Sequence, residues 1–202
     1  NAQVLMNRSA QLTERDRASS VADIAYESER LHRIIDNLLV LARLDAGAAI
    51  TTEPVLLGRA AQRVAREHML RYPARPLRVS EDGGDGFVLA EPVYIEQILR
   101  NLLSNAEKYS PAGAPIDIEI RHTARAVEVA VCDRGAGFTA EEAAQLFSPF
   151  YRAPTSAKVA SGIGIGLAVC KRLIEAQGGA VWARPRDGGG ADIGFSLPLA
   201  DE

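Results

Sequence analysis

A seam of mostly apolar positions repeats every three or four residues along residues 1–46, which contain neither proline nor glycine. The seam consists of Val21, Ile24, Ser28, Leu31, Ile35, Leu38 and Ala42. This spacing predicts a helix packed against other helices, and Thr13 and Asp16 precede it with the spacing of an N-cap. Residues 1–11 have the pattern of the end of an earlier helix. Residues 1–46 are therefore predicted to be a truncated antiparallel helical hairpin.

The pattern changes after Gly47, where helical and strand periodicities follow one another as far as residue 202. Strands are predicted near 54–57, 76–80, 86–90, 115–122, 126–132, 180–184 and 191–198, and helices at 58–71, 91–109 and 164–177. A loop-rich stretch reaches residue 162, and Gly188–Gly190 is most simply a hairpin turn. Residues 47–202 are therefore predicted to be an α/β domain, a two-layer sandwich of a mixed sheet covered by helices.

The overall composition is that of a soluble globular protein, with 47% hydrophobic and 24% charged residues. The net charge of −3 provides no basic field for nucleic acid, and no apolar run approaches the roughly 18 residues that span a bilayer. Cys132 and Cys170 lie in apolar stretches, which favours small buried residues over a disulfide. With no secretory leader visible, we expect a reducing, cytoplasmic location.

The helix predicted at 91–109 has two contrasting faces. Its apolar arc is formed by Ile95, Ile98, Leu99, Leu102, Leu103 and Ala106, and its polar arc by Gln97, Asn101, Asn105 and Lys108. Asparagine is a poor helix former, whereas its carbonyl can bind a hard cation such as Mg²⁺ and a lysine can meet phosphate. A ligand-binding face and an ordinary solvated face are equally compatible with this arc.

Two glycine-rich segments are candidates for ligand contact. Asp133–Gly137 directly follows a strand, so its carboxylate could accept from a ligand amino group, although a plain Asp-x-Gly turn explains it equally well. The dinucleotide fingerprint that Gly135–Ala140 matches needs an acidic residue about 20 positions later; none occurs between Glu142 and Glu175, so a dinucleotide site is rejected. The alternating glycines of Gly162–Leu167 open a helix, an arrangement suited to phosphate.

In order and spacing, four segments resemble the nucleotide-binding motifs of sensor histidine kinases. The N box is matched by Asn101–Tyr109, the G1 box by Asp133–Gly137, the F box by Phe147–Arg152 and the G2 box by Gly162–Leu167. Upstream, residues 28–47 resemble the second helix of the family's dimerisation hairpin. The resemblance implies a catalytic ATP-binding domain with the Bergerat fold of the GHKL ATPases, preceded by part of the dimerisation and phosphotransfer hairpin.

The resemblance also implies a role for each matching residue. Asp133 would accept from the adenine amino group while Tyr109 packs on the ring, and Asn105 would hold Mg²⁺. The catalytic residues would be Asn105, Lys108 and Arg152, with Asn101 beside the phosphates and residues 138–161 forming a mobile lid. The remaining ATP contacts would come from Gly135, Gly137, Phe150, Gly162, Gly164, Gly166 and Leu167.

The sequence departs from the family pattern at three points. Ile163 stands where relatives often carry Thr or Ser, and Ser161 replaces a glycine. No His-Glu-x-x-x-Pro acceptor motif is present, and His32 is expected to be structural or solvent-facing. The resemblance therefore places the acceptor histidine upstream of residue 1.

The function implied is transfer of the γ-phosphoryl group of ATP to a histidine, followed by relay to an aspartate in the receiver domain of a response regulator. The implied partners are that receiver domain and a second copy of the protein, paired through the hairpin. Any membrane attachment would come from upstream segments. A nucleotide-binding module that does not transfer phosphate is the alternative, and a gyrase-like or chaperone-like ATPase fits the N-terminal hairpin less well.

Overall fold

The computed structural model describes residues 13–47, 49–84, 86–154 and 163–200. The chain divides into two units, Asn1–Asp45 and Ala46–Glu202, and each is described by itself. The helix end expected within residues 1–11 lies outside the described residues. None of the helices that the structure describes is long and apolar enough to cross a membrane.

The first unit contains one long helix, α1 (Glu14–Asp45). Its predicted N-cap is confirmed: the Asp16 N–H donates to Thr13 Oγ1 at 3.2 Å, and the Thr13 N–H donates to Asp16 Oδ2 at 3.2 Å. The Thr13 hydroxyl also donates to Asp16, which lowers the pKa of that carboxyl. The apolar seam of α1 is exposed at Val21, Ile24, Leu31, Ile35 and Leu38.

The second unit alternates strands and helices in the order that the sequence predicts. Its strands are β1 (Glu53–Val55), β2 (Leu77–Asp82), β3 (Val88–Ala90), β4 (Ile116–His122), β5 (Ala126–Cys132), β6 (Ala180–Pro185) and β7 (Ala191–Pro198). Its helices are α2 (Leu57–Arg71), α3 (Pro92–Tyr109), the short α4 (Ala140–Ala143) and α5 (Gly166–Glu175).

The main sheet has five strands in the order β2–β4–β5–β7–β6. Only β2 and β4 are parallel, and the other pairs are antiparallel, so the sheet is mixed as predicted. The two short strands β1 and β3 form a separate antiparallel pair. Because β5 is central, its C-terminal end lies between β4 and β7, and this end carries Asp133.

In the second unit, the core lies between one face of the five-stranded sheet and the helices α2, α3 and α5. Alternate side chains of β4, β5 and β7 point into it, including Ile118, Val129 and Phe195. Side chains of α3 meet them from the helical layer, with Ile95, Ile98, Leu99 and Leu103 each at most 1% exposed. Burial of each such side chain contributes about 1.5–3 kcal/mol of transfer free energy, so the core fixes the position of α3 firmly.

Several predicted element boundaries were wrong. The strand predicted at 54–57 ends at Val55, and α2 begins at Leu57. Leu56 between them is the N-cap of α2, but its side chain makes no capping hydrogen bond that would mark the boundary in the sequence. The last helix begins at Gly166, because Gly164 has a φ of +77° that no helix accommodates. The loop-rich stretch contains α4, which begins with a capping box between Thr139 and Glu142.

Ala153, within the stretch 138–161 that the resemblance implies to be a mobile lid, is 2% exposed. Residues 155–161 of that stretch lie outside the described residues. The prediction for the two cysteines is confirmed, since Cys132 and Cys170 are both buried free thiols.

Candidate functional site

The two faces of α3 differ in burial as their side chains predict. The apolar arc is buried throughout, while the polar arc at Gln97, Asn101, Asn105 and Lys108 is half-buried. Pro92 occupies the first turn, and the Glu91 carboxylate accepts from the Val93 N–H as an N-cap. The partial burial shows that neighbouring segments flank the polar arc, which a freely solvated helix face would not require.

The start of α5 lies beside this arc at Asn101. A methyl group on Gly166 would be 3.8 Å from the amide carbon and oxygen of Asn101. The amide nitrogen of Asn101 is buried without a hydrogen-bond partner among the described residues. The nearby Cys170 thiol, whose burial raises its pKa to about 12, is only a weak acceptor. An unsatisfied buried N–H costs about 1–3 kcal/mol, so a ligand oxygen would be stabilised here.

Asp133 directly follows β5 and is 5% exposed. Its Oδ1 accepts from the Gly135 N–H at 2.7 Å and from the Ala191 N–H at 3.3 Å. Both of these bonds fall on one oxygen, which leaves Oδ2 for a donor from a ligand. Burial raises the pKa of Asp133, and the two backbone donors oppose that shift. The arrangement is a fixed, buried acceptor at the end of the central strand.

The loop at residues 133–137, hereafter the Asp133 loop, fits closely against α3 because it contains glycine. A methyl group on Gly135 would lie 2.6 Å from the carbonyl oxygen of Tyr109, the last residue of α3. No side chain could be accommodated at that distance without a shift of the backbone. The glycine therefore brings the Asp133 loop and the C-terminal end of the polar arc together, as the predicted site requires.

The turn between β6 and β7, residues 186–190 and hereafter the hairpin turn, also packs on this loop. It is closed by hydrogen bonds between Arg186 and Gly190 and between Gly189 and Arg186. A methyl group on Gly190 would collide with the Asp133 carbonyl, and one on Gly137 would lie 2.9 Å from the Gly190 carbonyl. The prediction of a turn at Gly188–Gly190 is confirmed, but sequence reasoning missed its contact with the site.

The segment around Phe150 is joined to the second glycine-rich segment. The Phe150 N–H donates to the Gly164 carbonyl at 2.9 Å, and a methyl on Gly164 would be 2.6 Å from the Tyr151 carbonyl. Phe150 itself has a φ of +64° and is 68% exposed. The structure thus brings together two segments that the sequence singled out separately.

The remaining predicted residues make few contacts that bear on ligand binding. The Lys108 ammonium lies 3.2 Å from the Tyr109 hydroxyl and 4.8 Å from the centre of its ring. Arg152 and Leu167 are half-buried, and Gly162 lies outside the described residues. The individual ligand roles of these residues stay predictions, as do those of Asn105 and the other site residues.

A metal ion would have to be held mainly by groups other than clustered carboxylates. Among residues 13–47, 49–84, 86–154 and 163–200, no group of three or more His, Cys, Asp or Glu side chains could hold one. Mg²⁺ accepts amide oxygens and often keeps waters or phosphate oxygens as its other ligands. The Asn105 side chain on the polar arc fits that kind of partial coordination.

Sequence reasoning also missed a buried ionic network that fixes the end of α3. Arg75, 7% exposed, donates Nε and Nη2 to the two carboxylate oxygens of Glu107 at 2.9 and 2.8 Å. Its Nη1 donates to the carbonyls of Pro111 and Ala114 at 2.6 and 2.7 Å. His68 contacts Glu107 at 3.3 Å, and burial lowers the pKa of its imidazole. Arg75 therefore connects α3 to the loop that follows it.

We expect Arg75→Met to destabilise the second unit by about 3–5 kcal/mol, because it leaves the Glu107 carboxylate and two carbonyls without their buried donor. Urea unfolding followed by circular dichroism measures the change. Arg78→Met, the same substitution at an exposed position on β2, is the matched control and should change stability by less than about 0.5 kcal/mol. Equal stability of the two variants would contradict a stabilising role for the network.

Residues 90–201 match the family model described as histidine kinase-, DNA gyrase B- and HSP90-like ATPase. The adaptive-response sensory kinase SasA of Parasynechococcus marenigrum is 39% identical over 113 residues, which cover 55% of this chain and 30% of that protein. The chain thus spans less than a third of the length of that relative.

Two solved structures cover nearly all of the chain. Full-length ShkA in complex with AMPPNP is 27% identical with a TM-score of 0.74, covering 95% of this chain and 40% of ShkA. Histidine kinase ThkA in complex with the response regulator protein TrrA is 20% identical with a TM-score of 0.70, covering 98% of this chain and 56% of ThkA. At 20% identity, the second likeness shows a shared fold alone.

Proposed function

The chain belongs to the family of histidine kinase-, DNA gyrase B- and HSP90-like ATPases, and we propose that it is the ATP-binding catalytic core of a sensor histidine kinase. The group transferred is the γ-phosphoryl of ATP, and the acceptor is a histidine other than the three in this chain. The phosphoryl group is then relayed to an aspartate of a response-regulator receiver domain. The sensory-kinase relative and the nucleotide complex of ShkA support this proposal.

The observation that carries the proposal is the buried Asp133 carboxylate, oriented by two backbone donors with Oδ2 left for a ligand. The exocyclic amino group of adenine is a donor of the required kind, whereas the guanine ring presents a carbonyl oxygen at the equivalent position. Two acceptors facing each other would leave both without a donor. The site should therefore prefer adenine to guanine nucleotides.

The phosphate end of the site would lie along the polar arc toward the start of α5. The orphaned Asn101 amide and the N–H groups of the first turn of α5 are donors for phosphate oxygens. Lys108 and Arg152 would supply positive charge, and Asn105 would hold Mg²⁺, which neutralises phosphate charge when bound. Phosphoryl transfer depends mainly on such positioning and electrostatic stabilisation, so these residues would align ATP while the acceptor attacks from the far side.

Two macromolecular partners belong to the proposal. A receiver domain is supported by the sensory-kinase relative SasA, and ThkA, which shares the fold, was solved with the response regulator protein TrrA. A second copy of the chain is supported by the exposed apolar seam of α1, since such a seam is stabilised when it packs against other helices. Residues 1–46 are proposed as part of that dimerisation hairpin and residues 47–202 as the catalytic domain.

Calorimetric titration of the protein with ATP and with GTP, each with and without Mg²⁺, tests the proposal. We expect ATP to bind at least about 30-fold more tightly than GTP, because a mismatched buried acceptor costs about 1–3 kcal/mol on each side. Removal of Mg²⁺ with a chelator should weaken ATP binding further. Equal affinity for the two nucleotides, or no binding of ATP, would contradict the proposal.

A further inference from the structure

Arg186 opens the hairpin turn and lies next to the Asp133 loop. The Asp133 N–H donates to the Ala191 carbonyl, and the sheet register pairs Ala191 with Pro185, so Arg186 lies one residue beyond that row, where β6 ends and the turn begins. The turn it begins touches the loop at Gly190 and again at Gly189, where a methyl would lie 3.3 Å from the Gly135 carbonyl. The backbone of Arg186 is thus held beside the Asp133 loop by the contacts of the turn that it begins.

One nitrogen of the Arg186 guanidinium lacks a hydrogen-bond partner among the described residues, whereas the guanidinium groups of Arg134 and Arg184 contact other side chains. The Nη1 of Arg186 is buried and has no hydrogen-bond partner in the part of the chain that the structure describes. Arg134 donates to Asp117 at 3.0 Å and to the Asp133 carbonyl at 3.1 Å, and Arg184 lies over the Trp182 ring at 5.2 Å. A buried donor without a partner destabilises the folded chain. Its presence near a buried carboxylate therefore indicates a function at the site.

We propose that Arg186 is a positioning residue of the adenine site, which keeps the Asp133 carboxylate ionised and available to the ligand's amino group. The inference rests on the proposed function. Burial raises the pKa of Asp133, the N–H groups of Gly135 and Ala191 lower it, and the positive charges of Arg186 and Arg134 lower it further. Arg186 lowers the pKa of the neighbouring Cys132 thiol in the same way, against the burial that raises it to about 12.

The other charged groups near Asp133 are already engaged. From β4, Asp117 is paired with Arg134, and from β7, Asp192 accepts from the indole N–H of Trp182 at 3.1 Å. From α3, the group that meets the loop is the Tyr109 backbone carbonyl. Arg186 is therefore the cation whose removal should most directly favour protonation of Asp133. A protonated carboxyl is a poorer acceptor for an amino group, so nucleotide affinity should fall with pH.

The test compares ADP affinity of the wild-type chain, Arg186→Met and Arg186→Lys between about pH 4 and pH 8.5, by calorimetry with Mg²⁺ present. We expect Arg186→Met to bind within about twofold of wild type near pH 8.5 and to lose affinity at a higher pH than wild type as the solution is acidified. We expect the pKa of Asp133 to be higher in Arg186→Met than in wild type, and below that pKa the ADP affinity of the variant should fall about tenfold per pH unit. Arg186→Lys should keep the wild-type pH profile, because it keeps the charge.

Arg184→Met is the matched control, because it removes the same charge two residues away on β6. It should leave the pH profile unchanged. Identical profiles for Arg186→Met and wild type would overturn the inference, and so would an equal loss at every pH, which indicates a structural role alone. If wild type itself binds no ADP, the proposed function fails, which is a separate outcome. Thermal melting shows whether each variant is folded at each pH.

Discussion

Replacing Asp133 by alanine should weaken ATP binding by two to three orders of magnitude. The variant loses a hydrogen bond to a charged acceptor and leaves the adenine amino group buried without a partner. Together these terms amount to about 3–5 kcal/mol, and each 1.4 kcal/mol is about tenfold in affinity. Calorimetric titration with ATP and Mg²⁺ measures the loss.

A second substitution separates ligand recognition from folding. Asp133→Asn keeps the shape of the side chain and an acceptor for the Gly135 and Ala191 N–H groups, but it turns an amide N–H toward the ligand's amino group. We expect its affinity loss to approach that of the alanine variant while its melting temperature stays closer to wild type. Asp82→Ala, at an exposed carboxylate on β2, serves as the control. Wild-type affinity in a folded Asp133→Asn protein would refute the adenine assignment.

The second large effect concerns phosphoryl transfer. Incubated with labelled ATP, this chain should acquire essentially no acid-labile phosphate, because none of its three histidines has an acceptor-like setting. His68 and His122 have side chains 9% exposed and contact Glu107 and Glu81, while His32 is 78% exposed beside Asp36. Correct orientation of the reacting groups accounts for about 7–11 kcal/mol of such a barrier, so a misplaced histidine reacts at a negligible rate.

We expect the same chain to phosphorylate a longer form of the protein that includes the proposed acceptor histidine. A longer form with Asp133→Ala, whose own ATP affinity should be lower by about two to three orders of magnitude, is the substrate that assigns this transfer to the added chain. Mapping of acid-labile phosphate on both proteins distinguishes the outcomes. Stable labelling of His32 would overturn the expectation, and absence of transfer to the longer form would count against a kinase core.

The sequence was sufficient for features that depend on local periodicity. The two arcs of α3 follow from the order of its side chains, and so does the burial of Ile95 and Ile98 on one arc and the partial exposure of Asn101 on the other. The alternation in β4 and β5 likewise predicts which side chains enter the core. Boundaries were less predictable where no side chain marks them, as at Leu56, whose side chain makes no cap.

Contacts between distant parts of the chain were beyond reach. Arg75 and Glu107 are separated by 32 positions, and Ala191 and Asp133 by 58. Their pairing depends on strand order and on the path of a loop, neither of which periodicity encodes. In the sequence alone, Arg75 and Arg186 cannot be told from ordinary surface cations. The structure places Arg75 against Glu107 and the hairpin turn of Arg186 against the Asp133 loop.

The close packing of Gly190 matters for anyone who wishes to engineer this protein. Three consecutive glycines between two strands look like a flexible linker, the sort of place where an epitope tag or a reporter domain is inserted. Gly190 is nevertheless buried against the backbone of Asp133, with a φ of +102° that L-residues rarely adopt. An insertion at this position would therefore deform the Asp133 loop, although no residue of that loop had been changed.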